Sequence, residues 1–226
     1  MAIRRHIKYN SVKERNTIKN WHNKMKNMPA FIIGNGPSLN DINTDLLLPY
    51  FTIGINRCFY KIDPTILLWQ DIELWYTERK RILRLSALKV CRNISDPQNR
   101  FFHFKLQNGP FNIPENPQSL HGRGTTGPLA VQFAYSLGCD PIILLGCDCK
   151  EKDGLTDFYG RNRHHKPHTM RNCRQGLLWI KEAIKDKTII SCSDNDIFEN
   201  KNFNDVISEI SIDYKKNRNY WTNLLT

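Results

Sequence analysis

The sequence predicts an α/β fold in which a mostly parallel sheet is covered by helices on both faces. Short apolar runs alternate along the chain with segments of helical spacing. Runs such as AFIIG (30–34) and PIILLGCD (141–148) have little polar alternation, which is typical of strands buried on both faces. Ligands of such sheets bind at the carboxyl ends of the strands, so polar residues that follow a strand are the candidate site.

The predicted elements follow one another in a regular order. The predicted strands cover residues 30–34, 51–57, 65–71, 87–92, 101–106, 141–148 and 188–193. The predicted helices cover residues 18–25, 72–85, 125–138, 168–185 and 203–210. Segment 107–124 is rich in Pro, Asn and Gly and is predicted to be a loop, as is segment 150–167.

Two helices have clear sequence signals. In segment 72–85 the apolar side chains recur at helical spacing, which predicts a buried face made of Leu74, Trp75, Ile82 and Leu85. The other helix begins with Thr125 or Thr126 as its cap and has Pro128 in its first turn, where a proline costs little. Gly138 suits its C-terminal end.

The 226 residues fit one domain with small appendages. We predict a basic N-terminal arm (1–28), a Rossmann-like catalytic domain (29–212) and a basic, aromatic tail (213–226). No apolar run approaches the roughly 20 residues of a membrane-spanning helix, and the N-terminus lacks the apolar core of a secretory signal. We therefore expect a soluble, cytoplasmic protein whose seven cysteines are reduced thiols.

Positive charge is concentrated in two segments of a chain whose net charge is +11. Residues 1–26 carry eight Lys/Arg against one Glu, and residues 161–187 carry eight Lys/Arg against two acids. Such clusters attract phosphates of a nucleotide, a nucleic acid or another anionic polymer. The alternative is a solvated basic surface that aids solubility.

The loop after the first strand is Gly-Asn-Gly-Pro-Ser, residues 34–38. It has neither the spacing of a dinucleotide-binding loop nor the lysine of a P-loop. We expect Gly36 to let a phosphate or sugar approach backbone N–H groups, with hydrogen bonds added by Asn35 and Ser38. The alternative is a plain connection between a strand and a turn.

Three further polar residues follow predicted strands. Asn56 follows the second strand and would lie beside the first loop in a parallel sheet. Asp71 either caps the next helix or binds a ligand or Mg²⁺. Asp148 is either a turn residue or a second ligand of that kind.

Segment 161–175 holds three histidines and five Lys/Arg. The histidines, His164, His165 and His168, offer general bases near neutral pH. The cations could neutralise a leaving phosphate. The alternative is a set of exposed loop histidines without a role.

Together these motifs resemble a known superfamily. The resemblance rests on FIIGNGPSLNDI, on the Asn of GINR and on GTTGPLAVQFAYSLGCDPIILLGCD, and it extends over residues 30–210. The pattern resembles the bacterial sialyltransferases of the Campylobacter type and the Maf-type flagellin glycosyltransferases. It is also similar to the archaeal 6-hydroxymethyl-7,8-dihydropterin diphosphokinases and to phage proteins. The resemblance implies a GT-A-like variant of the Rossmann-like fold and a bacterial or phage source.

The resemblance also implies roles for individual residues. Its nucleotide- and donor-binding positions correspond here to Asn35, Gly36, Pro37, Ser38, Asn56, Thr125, Thr126, Gly127 and Asp148. His168 would remove the proton of the acceptor hydroxyl while the sugar transfers with inversion. Lys150, Tyr159 and His165 would meet the leaving phosphate, although Lys150 stands where the sialyltransferases have a tyrosine.

Three hypotheses of function follow. The first is a glycosyltransferase that uses a nucleotide-activated sugar and needs no cofactor. The second is a diphosphokinase that needs Mg²⁺, with Asp71 and Asp148 as ligands. The third is a non-catalytic binder of nucleic acid or another anionic polymer. Lipopolysaccharide and nucleic acid are both open as anionic acceptors, and the sequence leaves the oligomeric state open.

Overall fold

The structure is a computed structural model. It describes residues 17–92, 94, 96, 98–107, 112–113, 116–122, 125–162 and 165–226. Most of the predicted basic arm and the predicted base His164 lie outside the described residues.

The described residues form nine strands and five α-helices. The strands are β1 (Ala30–Ile33), β2 (Thr52–Ile55), β3 (Ile66–Trp69), β4 (Leu88–Arg92), β5 (Phe101–Gln107), β6 (Ser119–His121), β7 (Ile142–Leu145), β8 (Ile189–Ser191) and β9 (Glu199–Asn200). The helices are α1 (Ile72–Arg84), α2 (Thr126–Ser136), α3 (Pro167–Ala183), α4 (Phe203–Glu209) and α5 (Arg218–Leu225).

All nine strands belong to one sheet with the order β6-β5-β4-β3-β2-β1-β7-β8-β9. Every neighbouring pair is parallel, and Phe31 of β1 lies opposite Thr52 of β2 and Ile143 of β7. The chain runs outward from β1 to β6 and then returns to the other side of β1. The strand order therefore reverses between β1 and β7, and the crevice at such a reversal is where sheets of this kind bind ligands.

The sheet is buried on both faces, which explains the continuous apolar runs in its strands. Ile32 and Ile53 point to one face, which packs against α2, α3 and α5. Phe31 and Leu67 point to the other face, which packs against α1 and α4. The predicted α/β fold with helices on both faces is confirmed, and the sheet is parallel throughout.

The structure corrects several element predictions. The predicted loop 107–124 contains β6, a three-residue strand that pairs with β5. Segment 18–25 forms a 3₁₀ turn at Lys19–Trp21 rather than an α-helix. Both elements are too short to impose a hydrophobic period, so the contacts of the folded chain define them. Leu85 lies just past the end of α1 and is half-buried rather than buried.

The tail contributes to the core. Asn217 caps α5 by accepting a hydrogen bond from the backbone N–H of Tyr220. Trp221 and Leu225 are each 1% exposed and belong to the core on the α2 side of the sheet. Among the described helices, none is long and apolar enough to cross a membrane.

Candidate active site

A cavity of about 440 Å³ opens at the carboxyl edge of the sheet. It lies where the loops after β1, β2, β3 and β7 meet the first turns of α1, α2 and α3. Most of the predicted site residues line it, namely Asn35, Gly36, Asn56, Asp71, Thr125, Thr126, Gly127, Asp148, Lys150, Tyr159 and His165. Pro37, Ser38 and His168 do not line it.

The glycines of the first loop allow it to pack closely against the loop after β7. A Cβ at Gly34 would lie 2.1 Å from the carbonyl oxygen of Gly146, and a Cβ at Gly36 would lie 2.4 Å from Oδ2 of Asp148. The N–H of Gly36 donates to the carbonyl of Gly146 at 2.7 Å. The N–H of Ser38 donates to Asp148 at 2.8 Å. The N–H groups of Gly36 and Ser38 are therefore already engaged within the protein.

Asp148 is a buried carboxylate with three donors. It is 3% exposed and accepts from the N–H and the hydroxyl of Ser38 and from the N–H of Asp194 at 3.1 Å. Because a buried charge is costly unless hydrogen-bonded, these donors hold the loops after β1, β7 and β8 together. Pro37 and Ser38 are buried in the 3₁₀ turn Pro37–Asp41, where they support the site without lining it.

Amide and hydroxyl groups gather on the β2 side of the cavity. Asn35 Nδ2 donates to the carbonyl of Ile55 at 3.1 Å, whereas Asn35 Oδ1 is buried without a hydrogen-bond partner. Asn56 has a positive φ of 49°, and its Oδ1 accepts from the Thr126 hydroxyl at 3.4 Å. Gln70 Nε2 lies 3.3 Å from the same hydroxyl. Buried polar atoms normally have partners, so the free Asn35 oxygen marks a place where a ligand can donate.

The N-terminus of α2 also faces the cavity. Thr125, Thr126 and Gly127 line it, and the Thr125 side chain makes no capping hydrogen bond to the helix. The first N–H groups of a helix lack partners within the helix and carry partial positive charge. This end of α2 is therefore suited to an anionic group.

A second group of polar side chains lies in the segment before α3. His165 Nδ1 is 3.1 Å from Oδ2 of Asp157, which is 0% exposed. This contact orients the ring so that Nε2 points away from Asp157 and can meet a ligand. Asp157 Oδ1 is buried without a hydrogen-bond partner.

Tyr159 and Lys150 complete this side of the cavity. Burial raises the pKa of Tyr159 to about 12, so its hydroxyl stays protonated at neutral pH and can donate. Lys150 lies at the exposed rim, where its Nζ pairs with Asp194 Oδ1 at 2.8 Å.

Arg57, Asp157 and the cysteine pair are cavity residues that sequence reasoning missed. Arg57 directly follows Asn56, and its Nε lies 3.2 Å from Glu78 Oε1. The Sγ atoms of Cys149 and Cys173 are 2.6 Å apart, and their hydrogen bond is the main cause that raises the pKa of Cys149. The sequence signal for Arg57 was its place at the end of a parallel strand.

His168 occupies a different place from His165. It is the second residue of α3 and is exposed, whereas Thr169, Met170 and Cys173 of the same helix line the cavity. His168 therefore stands on the solvent side of the cavity wall that α3 forms.

The two predicted magnesium ligands both line the cavity but form no larger cluster. Asp71 occupies the N-cap position of α1 without a side-chain capping hydrogen bond, and Asp148 is engaged as described above. Within the described part of the chain, no three His, Cys, Asp or Glu side chains are grouped to hold a metal ion.

No protein-family model matches the chain, and no curated protein matches it. Among solved structures it is similar to the monofunctional α-2,3-sialyltransferase Cst-I of Campylobacter jejuni, at 18% identity and a TM-score of 0.48 over 88% of this chain and 94% of that one. It is also similar to the C. jejuni sialyltransferase CstII in complex with the substrate analogue CMP-3FNeuAc, at 17% identity and a TM-score of 0.44 over 76% and 85% of the two chains. A CstII complex with a trisaccharide acceptor and CMP matches at 17% identity and a TM-score of 0.42, over 76% of this chain and 85% of that one.

Proposed function

We propose that the protein is a glycosyltransferase that moves a sugar from a nucleotide-activated donor to a hydroxyl group of an acceptor. One observation carries the proposal. The cavity is lined by amide and hydroxyl groups, by the N-terminus of α2 and by a further polar group made of His165, Tyr159 and Arg57. A nucleotide joined to a sugar through phosphate has a nucleoside and an anionic group that such a lining could bind.

The amide and hydroxyl side would bind the nucleoside. The unpartnered Asn35 Oδ1 can accept a hydrogen bond from an amino or hydroxyl group of the ligand. Asn56 and Thr126 are already positioned by their mutual contact, so little side-chain freedom is lost on binding.

The phosphate would lie between the N-terminus of α2 and this further polar group. The neutral phenol of Tyr159 can donate to its oxygens. His165 Nε2 can donate as well when the ring carries both protons, with Asp157 accepting from Nδ1. Arg57, whose Nε is paired with Glu78, lines the same cavity. In the reaction the bond between the sugar carbon and the phosphate oxygen breaks, and its electron pair goes to the phosphate. Donors aimed at this developing charge lower the barrier.

His168 would act as the general base, as the sequence predicts. It is exposed at the start of α3, next to the cavity residue Thr169. It would take the proton of the acceptor hydroxyl while the oxygen of that hydroxyl bonds to the sugar carbon.

Turnover of activated sugars tests the proposal. The protein is incubated with CMP-, UDP- and GDP-linked sugars and, separately, with ATP, Mg²⁺ and a hydroxymethylpterin, and nucleotide release is measured by chromatography. Release from one nucleotide sugar, reduced in a His165→Ala variant, supports the proposal. Turnover of ATP alone, abolished by a chelator, would instead favour the diphosphokinase. Absence of turnover together with salt-sensitive binding of DNA would favour a non-catalytic protein that binds nucleic acid.

A further inference from the structure

Two cysteines face each other in the wall of the cavity. Cys149 follows β7 and has a positive φ of 54°, and Cys173 lies in the first half of α3. Both line the cavity, and both are half-buried. The Cys149 thiol donates to the Cys173 sulfur, with the two Sγ atoms 2.6 Å apart. Because a disulfide bond is about 2.05 Å long, a small movement of the two side chains would join them.

The remaining five cysteines are not arranged in this way. Cys147 also lines the cavity, but it is 6% exposed and its thiol is directed at the carbonyl of Leu145 at 3.7 Å. Cys192 packs against the core on the other face of the sheet, outside the cavity. The other three are fully buried in the core, namely Cys58, Cys91 and Cys139. The pair in the cavity wall is therefore the place where two thiols can meet a small molecule from solution.

The chain between the two paired cysteines carries polar side chains of the cavity. Asp157, Tyr159 and His165 belong to this stretch and line the cavity, and the proposed base His168 belongs to it as well. A bond between residues 149 and 173 would close the stretch into a loop. The loop would be fixed at one end to the sheet and at the other end to α3.

The first half of α3 packs less firmly than the second half. The buried residues of the helix are Gly176, Leu177 and Ile180, and none of residues 167–175 is fully buried. The packing at Gly176 is close, since a Cβ there would lie 2.6 Å from Cγ of Pro128 in α2. Helix turns with few buried contacts open at a low cost in free energy. A bond at Cys173 would therefore restrain the part of α3 that the core holds least.

We propose that Cys149 and Cys173 form a reversible oxidation site, and that their disulfide holds the stretch with Asp157, Tyr159 and His165 in place in the cavity wall. The bond lowers the entropy of the unfolded chain and restrains the folded stretch. A wall that is already ordered loses less entropy when a ligand binds, so the oxidised form binds nucleotide more tightly. Formation of the bond is independent of the proposed glycosyltransferase function, whereas its effect on nucleotide affinity rests on that function.

The oxidant that the pair requires is a peroxide. The hydrogen bond to Cys173 raises the pKa of Cys149, so Cys149 stays protonated in the first step. The Cys173 sulfur attacks one oxygen of hydrogen peroxide, the O–O bond breaks, and the other oxygen takes the Cys173 proton and leaves as water. The Cys149 sulfur then attacks the sulfenic acid of Cys173, the S–O bond breaks, and the hydroxyl takes the Cys149 proton and leaves as a second water. The two thiols are oxidised to a disulfide while the peroxide is reduced to water.

Mapping of the bond tests the site. The reduced protein is exposed to hydrogen peroxide, the remaining thiols are alkylated, and the digested peptides are analysed by mass spectrometry. We expect one pair of peptides joined through Cys149 and Cys173, which dithiothreitol separates. Without nucleotide, the oxidised protein should melt about 5–10 °C higher than the reduced protein, because closing a loop of roughly 25 residues lowers the entropy of the unfolded chain. The Kd of the nucleotide that binds best should be several-fold lower in the oxidised form.

Cys149→Ala and Cys173→Ala should each abolish the bond and the rise in melting temperature. Cys192→Ala is the matched control, because it changes a half-buried cysteine outside the cavity, and it should keep both. Absence of the bond, a bond through Cys147 instead, or equal melting temperatures of the oxidised and reduced forms would overturn the inference. Equal nucleotide affinity in the two forms would also overturn it. If neither form binds nucleotide, the proposed function fails, and the mapped bond with its rise in melting temperature still decides the inference.

Discussion

The buried carboxylate of Asp148 accepts hydrogen bonds from both the backbone N–H and the hydroxyl of Ser38. This pair joins the loop after β1 to the loop after β7, at the point where the strand order reverses. Ser38 thus holds the first loop in place without lining the cavity, whereas Asn35 and Gly36 line it.

Replacing Ser38 with Ala should destabilise the fold. The variant leaves an oxygen of the buried Asp148 carboxylate without one of its donors, which costs about 1–3 kcal/mol. Urea unfolding measures the loss. Ser208→Ala is the matched control, because the exposed Ser208 hydroxyl donates only to the nearby carbonyl of Asp205. Equal unfolding midpoints for the two variants would contradict the role of the pair.

Alanine substitutions at two glycines should change the free energy of unfolding differently. A Cβ at Gly36 would lie 2.4 Å from Asp148, so Gly36→Ala should cost about 1–3 kcal/mol through overpacking. A Cβ at Gly127 would meet Cys173 Sγ at 3.5 Å, an ordinary contact. Gly127→Ala, in the first turn of α2, should therefore be neutral or stabilising by up to about 1 kcal/mol. Chemical denaturation of both variants measures their free energies of unfolding. A Gly36→Ala variant as stable as the wild type would show that the loops can separate.

Alanine substitutions at the two histidines should have different effects on rate and on nucleotide affinity. His168→Ala should lower the transfer rate by about 10²–10⁴-fold and leave nucleotide affinity intact, as expected for a general base. His165→Ala should weaken nucleotide affinity by about tenfold to a hundredfold, because a charge-assisted hydrogen bond to phosphate is lost. Calorimetric titration and initial rates separate the two effects. The reverse pattern would exchange the two assignments.

Stability should depend on Tyr159 in alkaline solution. Burial raises the pKa of Tyr159 to about 12, above the value of about 10 for an unfolded tyrosine. Between these two values the folded state holds a proton that the unfolded state has lost, so the free energy of unfolding falls as pH rises. Melting temperatures of the wild type and Tyr159→Phe, compared from pH 9 to about pH 12, measure this contribution. The variant should show a shallower decline, while the exposed Tyr76→Phe control should follow the wild type.

The sequence predicted the central strands because each is buried on both faces and is therefore continuously apolar. It missed β6 and β9, since strands of three and two residues are defined by their neighbours rather than by a pattern. It missed α5, whose signal was the Asn217 cap followed by the apolar spacing of Trp221 and Leu225.

The site was predictable where it follows from topology. The carboxyl ends of parallel strands meet at one edge, so Asn35 and Asn56 could be placed together before the structure was known. The contact between Asp157 and His165 could not be found in this way, because both residues belong to a segment without regular period. The role of Ser38 depends on a partner 110 residues further along the chain, which no local pattern reveals.

The most direct test of the account is whether the cavity binds a nucleotide. Melting temperatures of the wild type and of Asn56→Ala are measured with CMP, UDP, GDP and ATP, each with and without Mg²⁺. One of the sugar-donor nucleotides should stabilise the wild type without Mg²⁺. At 100 times its Kd the stabilisation should be about 2.7 kcal/mol, a rise of about 5–10 °C. Asn56→Ala should lose most of this rise. A folded protein whose melting temperature responds to none of these nucleotides would contradict the account.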